Sequence, residues 1–196
     1  NIGGGTNYFT FGGTINIYNN TAAKNGGAIL VSYNTDTAII SGDINIYNNT
    51  AYTGGGIYNV GTTTMSGNVN IYDNTATVTD GPQVYNNSGA TFNFYSGVIN
   101  NDSGDNVYAV YNAGTMVMGD TTATGTPYIG TEDNRATAGI DSWNNATLTI
   151  NEGYIYTDVY SALRLRGMVN ISNLSAYYLR DASDTAHNSI IRIYGG

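Results

Sequence analysis

The 196-residue chain contains no cysteine, so disulfides are excluded and the redox compartment leaves no mark. Charge is scarce as well: Lys, Arg, Asp and Glu make up 10% of the residues, against about 25% in ordinary soluble domains. Six basic residues face 14 acidic ones, for a net charge of −8. Such a surface repels phosphate backbones, which argues against a nucleic-acid partner. No apolar run approaches the roughly 20 residues of a membrane helix, so no membrane span is expected in this chain. No window keeps the i, i+3, i+4, i+7 apolar spacing of an amphipathic helix. The chain does not open on Met and has no targeting segment, which reads as a processed chain or an excised piece.

In place of charge there are 26 glycines and an abundance of Asn, Thr and Ser, residues suited to turns and exposed strand faces. Apolar content is 41%, and the length suffices for one domain with a sizeable core. Residues 14–61 carry one phrase nearly twice. Thr14-Ile15-Asn16-Ile17-Tyr18-Asn19-Asn20-Thr21-Ala22 is followed by Gly26-Gly27-Ala28-Ile29. Ile44-Asn45-Ile46-Tyr47-Asn48-Asn49-Thr50-Ala51 is followed by Gly54-Gly55-Gly56-Ile57. A third copy runs from Val69-Asn70-Ile71-Tyr72-Asp73-Asn74-Thr75-Ala76 to Gly81-Pro82-Gln83-Val84. A unit of this size cannot bury its apolar face alone and must stack on its neighbours.

Within each unit apolar residues alternate with polar ones at period two, which makes strands. Ile15, Ile17, Ile44, Ile46, Val69, Ile71 and Ile57 are the expected core. The second unit reads as strands at 37–40, 44–47 and 56–59, the first two separated by Ser41-Gly42-Asp43. Similar first strands fall at 62–65, 90–94, 115–118 and 147–150. Three strands and three corners per turn describe a right-handed parallel β-helix. Six or seven coils spaced about 4.8 Å apart make a rod roughly 30 Å long. Asn at fixed corners tolerates left-handed backbone angles, and stacked amides can bond along the rod. Paired glycines fit tight corners without invoking a ligand. The whole chain reads as one domain: regular repeats over 1–118, an irregular excursion over 119–138, and degenerate coils over 139–196.

The repeat Ile17-Tyr18-Asn19-Asn20-Thr21-Ala22 with Gly26-Gly27-Ala28-Ile29 resembles the F-x-x-N and G-G-A-[ILV] repeats of polymorphic outer-membrane proteins. Gly54-Gly55-Gly56-Ile57-Tyr58-Asn59 is similar to the repeats of adhesin-like β-helix proteins. Ile17, Ile46 and Ile71 stand where the first family has Phe, and the likeness covers about residues 12–90. It implies an extracellular, cell-surface position and adhesion, and it names no ligand.

An aromatic followed by Asn recurs at Tyr33, Tyr58, Tyr85, Tyr111 and Trp143, with spacings of 25, 27, 26 and 32 residues. If Ile57, Val84 and Val110 point inward, Tyr58, Tyr85 and Tyr111 point outward, with Tyr33 and Trp143 at either end. A second column would hold Tyr18, Tyr47 and Tyr72. Aromatic columns of this kind can stack on sugar rings. They can equally serve only to stabilise neighbouring strands, by about 0.2–1 kcal/mol per pair. Tyr58, Tyr85, Tyr111 and Trp143 are therefore the candidate binding residues, for a glycan or another cell-surface ligand.

Catalysis needs paired carboxylates, or a base beside a cation. Glu152, Asp158, Arg164 and Arg166 are the residues that would have to converge, and His187 is the only histidine. Arg164 and Arg166 alternate with Leu163 and Leu165 and read more simply as an exposed face. Asp102-Ser103-Gly104-Asp105-Asn106 has part of a calcium loop's pattern without its later acidic ligands. The expectation is a non-enzyme with no metal and no cofactor. Two alternatives remain open: a structural component that associates end to end into a filament or sheath, and a polysaccharide-processing β-helix enzyme.

Overall fold

The computed structural model describes residues 6–77, 81–101, 108–120, 122, 125–178 and 190–194. His187, Arg180 and the 102–106 stretch lie outside the described residues. No helix occurs among the described residues, and every strand pairing is parallel. A seven-stranded sheet stacks Ile29–Val31, Ile57–Asn59, Val84–Asn86, Val110–Asn112, Ile140–Ser142, Leu163–Leu165 and Ile191–Ile193 in chain order. Each of its strands belongs to one coil, so the described chain makes seven coils. A 12-stranded sheet carries the rest of every coil, as two strands in five coils and one long strand in the second and third. The fold is a parallel β-helix.

The expected breaks at Ser41-Gly42-Asp43 are absent. Thr37–Tyr47 and Thr62–Tyr72 each run as one 11-residue strand, paired throughout. The bend is absorbed inside the strand by Gly42 and Gly67, at φ 117° and 88°, angles that L side chains rarely adopt. Thr50–Ala51 and Thr75–Ala76 add a small extra ladder at the next corner. Within 119–138, read from sequence as an excursion, Pro127–Ile129 pairs with both Gly97–Ile99 and Tyr154–Thr157. The second strand of that coil is thus in place.

The core is a continuous apolar column. Ile44, Ile46, Ile57, Val69 and Ile71 are completely buried, as the alternation requires. Ile15 and Ile17 are only half-buried, contrary to expectation. They belong to the first described coil, where Ile44 and Ile46 cover them from one side. Two amide ladders run alongside this core. Asn59 Nδ2 donates to Asn86 Oδ1 at 2.9 Å, and Asn86 Nδ2 to Asn112 Oδ1 at 2.8 Å. Asn20, Asn49, Asn74 and Gln83 form the second, with steps of 2.8, 2.9 and 2.8 Å. Asn19, Asn48 and Asp73, one residue before each ladder Asn, take the left-handed angles, at φ 57°, 54° and 53°. The tandem Asn therefore divides the work: the first turns the corner and the second bonds along the rod. At Gly54-Gly55 the first glycine has φ 61°, and a Cβ on the second would lie 2.5 Å from the Thr75 carbonyl oxygen of the next coil. Backbone geometry and close coil stacking account for that pair without a ligand.

Candidate functional site

Val84–Asn86 sits between Ile57–Asn59 and Val110–Asn112, with Tyr85 level with Tyr58 and Tyr111. Ile57, Val84 and Val110 are buried, so strand alternation sends the three tyrosines outward, where they are half-buried against one another. Ring centroids are 5.1 Å apart from Tyr58 to Tyr85 and 4.5 Å from Tyr85 to Tyr111, with planes within 7° and 11° of parallel. The ring faces are thus turned to each other. The far ring edge and the hydroxyl, opposite the Cβ attachment, are what the column turns away from the sheet. Burial pushes the Tyr58 phenol above its usual 10, and the neighbouring Tyr85 pushes it the same way. Near neutral pH the Tyr58 phenol is protonated and can both donate and accept hydrogen bonds.

Neither end of the column is what the aromatic-Asn spacing suggests. Leu30, not Tyr33, is level with Tyr58, because the inward pair Ile29 and Val31 fixes that strand's register. Tyr33 lies beyond the strand, in a turn where Asp36 N–H donates to its carbonyl at 3.0 Å. At the other end Asp141 is level with Tyr111, and Ser142 takes the ladder position of Asn112. Trp143 follows that strand. Its ring nevertheless reaches Tyr111, at 5.9 Å and tilted by 49°, and is 41% exposed. Three of the four candidate residues thus share one stack, and the fourth leans on its end.

Asp141 is the residue that sequence reasoning missed. It occupies an outward register position yet is completely buried. Arg164 from the next coil bonds its Oδ2, and Arg166 lies 3.5 Å from the same oxygen. The guanidinium of Arg164 lies 4.5 Å from the Tyr108 ring centre, and that of Arg166 is 4.5 Å from Trp143. The two arginines are therefore about four-fifths buried and paired, not a plain exposed face. Only the register could have shown this, since Asp141 and Arg164 are 23 residues apart in sequence.

The putting-together of Glu152, Asp158, Arg164 and Arg166 does not occur in this arrangement. Tyr154–Thr157 separates Glu152 from Asp158, and Glu152 packs at Gly119. Burial pushes the Asp158 carboxyl above its ordinary range, and Arg135 opposes that shift. The two arginines are held by Asp141 instead.

Residues 14–32 match the model of the Chlamydia polymorphic membrane protein repeat. The chain is a polymorphic-membrane-protein-like β-helix repeat protein. The matched stretch holds Thr14–Tyr18, the Asn20 ladder position and Ile29–Val31, the parts that stack directly on the second coil. A match to a membrane-protein repeat agrees with the cell-surface, adhesin-like role that the resemblance implies. Comparison with curated proteins and with solved structures returned no match.

Proposed function

We propose that this chain is a cell-surface, adhesin-like β-helix module without catalytic activity. It binds an extended glycan or another host-surface ligand along Tyr58, Tyr85, Tyr111 and Trp143. The observation that carries this reading is the outward phenol stack, with steps of 5.1 and 4.5 Å, ending at a partly exposed indole. Because the stacked faces cover one another, the three tyrosines meet a ligand through edges and hydroxyls, and Trp143 offers ring surface. Individual contacts of this kind are weak, and affinity grows with the number engaged at once.

The test separates ladder from binding face. Changing Tyr58, Tyr85 and Tyr111 together to Phe keeps every ring and deletes every hydroxyl. Binding to glycan-coated surfaces or host cells is expected to fall about tenfold or more, at roughly 0.5–1.5 kcal/mol per hydrogen bond. The melting temperature is expected to stay nearly constant. Unchanged binding by the triple variant and by Trp143→Ala leaves the column a structural ladder and sinks the reading. Turnover of any polysaccharide that depends on Asp158 or Glu152 would replace it with the enzyme reading.

A second reading, end-to-end association into a filament, is favoured by the apolar side chains on the outermost described strands. Phe9 is 52% exposed at one end, and Met168 and Ile193 are 67% and 80% exposed at the other. Parallel strands with unpaired edges template further strands. Sedimentation separates the two: long polymers at micromolar concentration support the filament, and monomers support the binding module.

A further inference from the structure

On the 12-stranded sheet, away from the Tyr58 column, two ladders stop at the same coil boundary. Asn45 Nδ2 donates to Asn16 Oδ1 at 3.0 Å, and Asn70 Nδ2 to Asn45 Oδ1 at 3.1 Å. The next coil puts Val98 level with Asn70, so no amide continues the row. Among the described residues, Asn70 Oδ1 receives no hydrogen bond. Beside it, Tyr18, Tyr47 and Tyr72 stack at 5.1 and 5.2 Å with planes within 6° and 3°. Asn100 follows Ile99, which is level with Ile71, so it takes the place where a fourth ring would stand. One face of Tyr72 rests on Tyr47, and among the described residues no ring covers the other.

A cavity of about 310 Å³ opens at this boundary. Asn70, Tyr72, Val98 and Asn100 are among its lining residues, together with the Thr131 and Asn134 turn. That turn is closed: Thr131 N–H donates to the Asn134 carbonyl at 2.7 Å, and Asn134 N–H to Thr131 Oγ1 at 3.0 Å. None of the lining residues carries a charge. Their sequence neighbours Asp73, Glu132 and Asp133 are exposed and acidic, against one half-buried base, Arg135.

These features suit one class of ligand. A pyranose ring has an apolar C–H face that packs on an aromatic ring, and vicinal hydroxyls that pair with amide and hydroxyl groups. The volume lies at the small end of ligand pockets, enough for one or two sugar rings. The acidic surround disfavours uronates and sulfated sugars. Burial, then Tyr47 and Asp73, hold the Tyr72 phenol above its ordinary value, so it remains a donor at neutral pH.

We propose that this cavity seats one neutral pyranose ring, packed against Tyr72 beside Asn100 and hydrogen-bonded through Asn70 and the Thr131 turn. It is a site of a different kind from the Tyr58 column: a pocket for a single residue, not a track for a chain.

The experiment titrates the protein with the methyl pyranosides of glucose, galactose, mannose and N-acetylglucosamine, and with methyl glucuronide as the charged counterpart. Binding is followed by calorimetry and by amide chemical shifts. At least one neutral glycoside is expected to saturate in the roughly millimolar range, moving the Asn70 side-chain amide and Thr131 resonances. Asn70→Leu and Tyr72→Ala are each expected to weaken it about tenfold. Val98→Trp, which fills the cavity from a surface strand, abolishes binding and serves where Tyr72→Ala fails to fold. The Tyr58, Tyr85, Tyr111 to Phe triple leaves monosaccharide binding unchanged, so loss of the column reading does not touch this one. No saturable shift by any neutral glycoside, equal binding of the glucuronide, or unchanged binding by folded Val98→Trp each overturns the proposal.

Discussion

The second and third coils are built from like on like, and the fifth and sixth are not. In the former, Thr37–Tyr47 lies over Thr62–Tyr72 with Ile46 on Ile71, Asn45 on Asn70 and Tyr47 on Tyr72. In the latter, the column that held tyrosines continues as Asp141 and Arg164, and the amide ladder as Ser142 and Leu165. The contrast explains the scarcity of charge. A residue repeated once per coil meets its own copy about 4.8 Å away. Neutral amides and phenols gain from that meeting, whereas like charges placed opposite each other lose. Asp141 enters its column beneath an opposite partner, Arg164, which is itself level with Arg192 on the next coil.

The largest expected effect tests that partnership. Asp141→Ala leaves two mostly buried guanidinium groups without their carboxylate and is expected to cost about 3–5 kcal/mol in urea denaturation. A loss under about 1 kcal/mol would mean that the aromatic rings beneath the arginines, and not Asp141, hold them. Next comes the apolar column of the regular coils. Ile46→Ala is expected to cost about 2–5 kcal/mol, and Ile17→Ala clearly less because its site is already half-open. Equal costs at the two sites would make coil position irrelevant.

The amide ladder should be intermediate. Asn86→Ala removes an acceptor for Asn59 and donors to Asn112 and the Thr115 carbonyl, for an expected loss of about 1–3 kcal/mol. The same column carries Leu165 three coils later, so Asn86→Leu should recover part of the loss. Recovery by Leu equal to wild type would show that the column needs volume and not hydrogen bonds.

Strands, inward faces and glycine corners were legible because each follows from period-two alternation and from backbone sterics. The copies at Ile44 and Val69 agree so closely that register and core follow together. The column's ends were not legible. An aromatic before Asn is a conspicuous repeat, yet register is set by what is buried. Ile29 and Val31 fix one end without regard to Tyr33, and Ile140 fixes the other without regard to Trp143. The stacking of Tyr85 explains why the aromatic signal was ambiguous, since rings that face each other at 4.5 Å stabilise the rod whether or not a ligand exists. Asp141 escaped notice because its partners lie one coil away, at a distance that only the register reveals.

The smallest expected effect uses two phenols to read the same contrast by titration. Burial raises both Tyr58 and Tyr108 above 10, but their neighbours act with opposite sign. Beside Tyr58 stands Tyr85, whose phenolate opposes a second negative charge. Beside Tyr108 stand Arg164 and Arg192, which favour its phenolate, with Asp141 working against them. Tyr85→Phe is therefore expected to lower the Tyr58 value while leaving it above 10, since burial is the larger cause. Arg192→Gln, which leaves Asp141 its two arginines, is expected to raise the Tyr108 value further. The linkage follows directly: a phenol with a raised folded value keeps its proton where the unfolded chain has lost it, so stability falls as pH climbs from 10 toward the folded value. Below pH 10 neither variant should alter the pH dependence. Phenolate absorbance with assigned ring resonances measures both shifts, and two shifts of the same sign would show that burial alone, and not the exchange of like neighbours for charged ones, sets these groups apart.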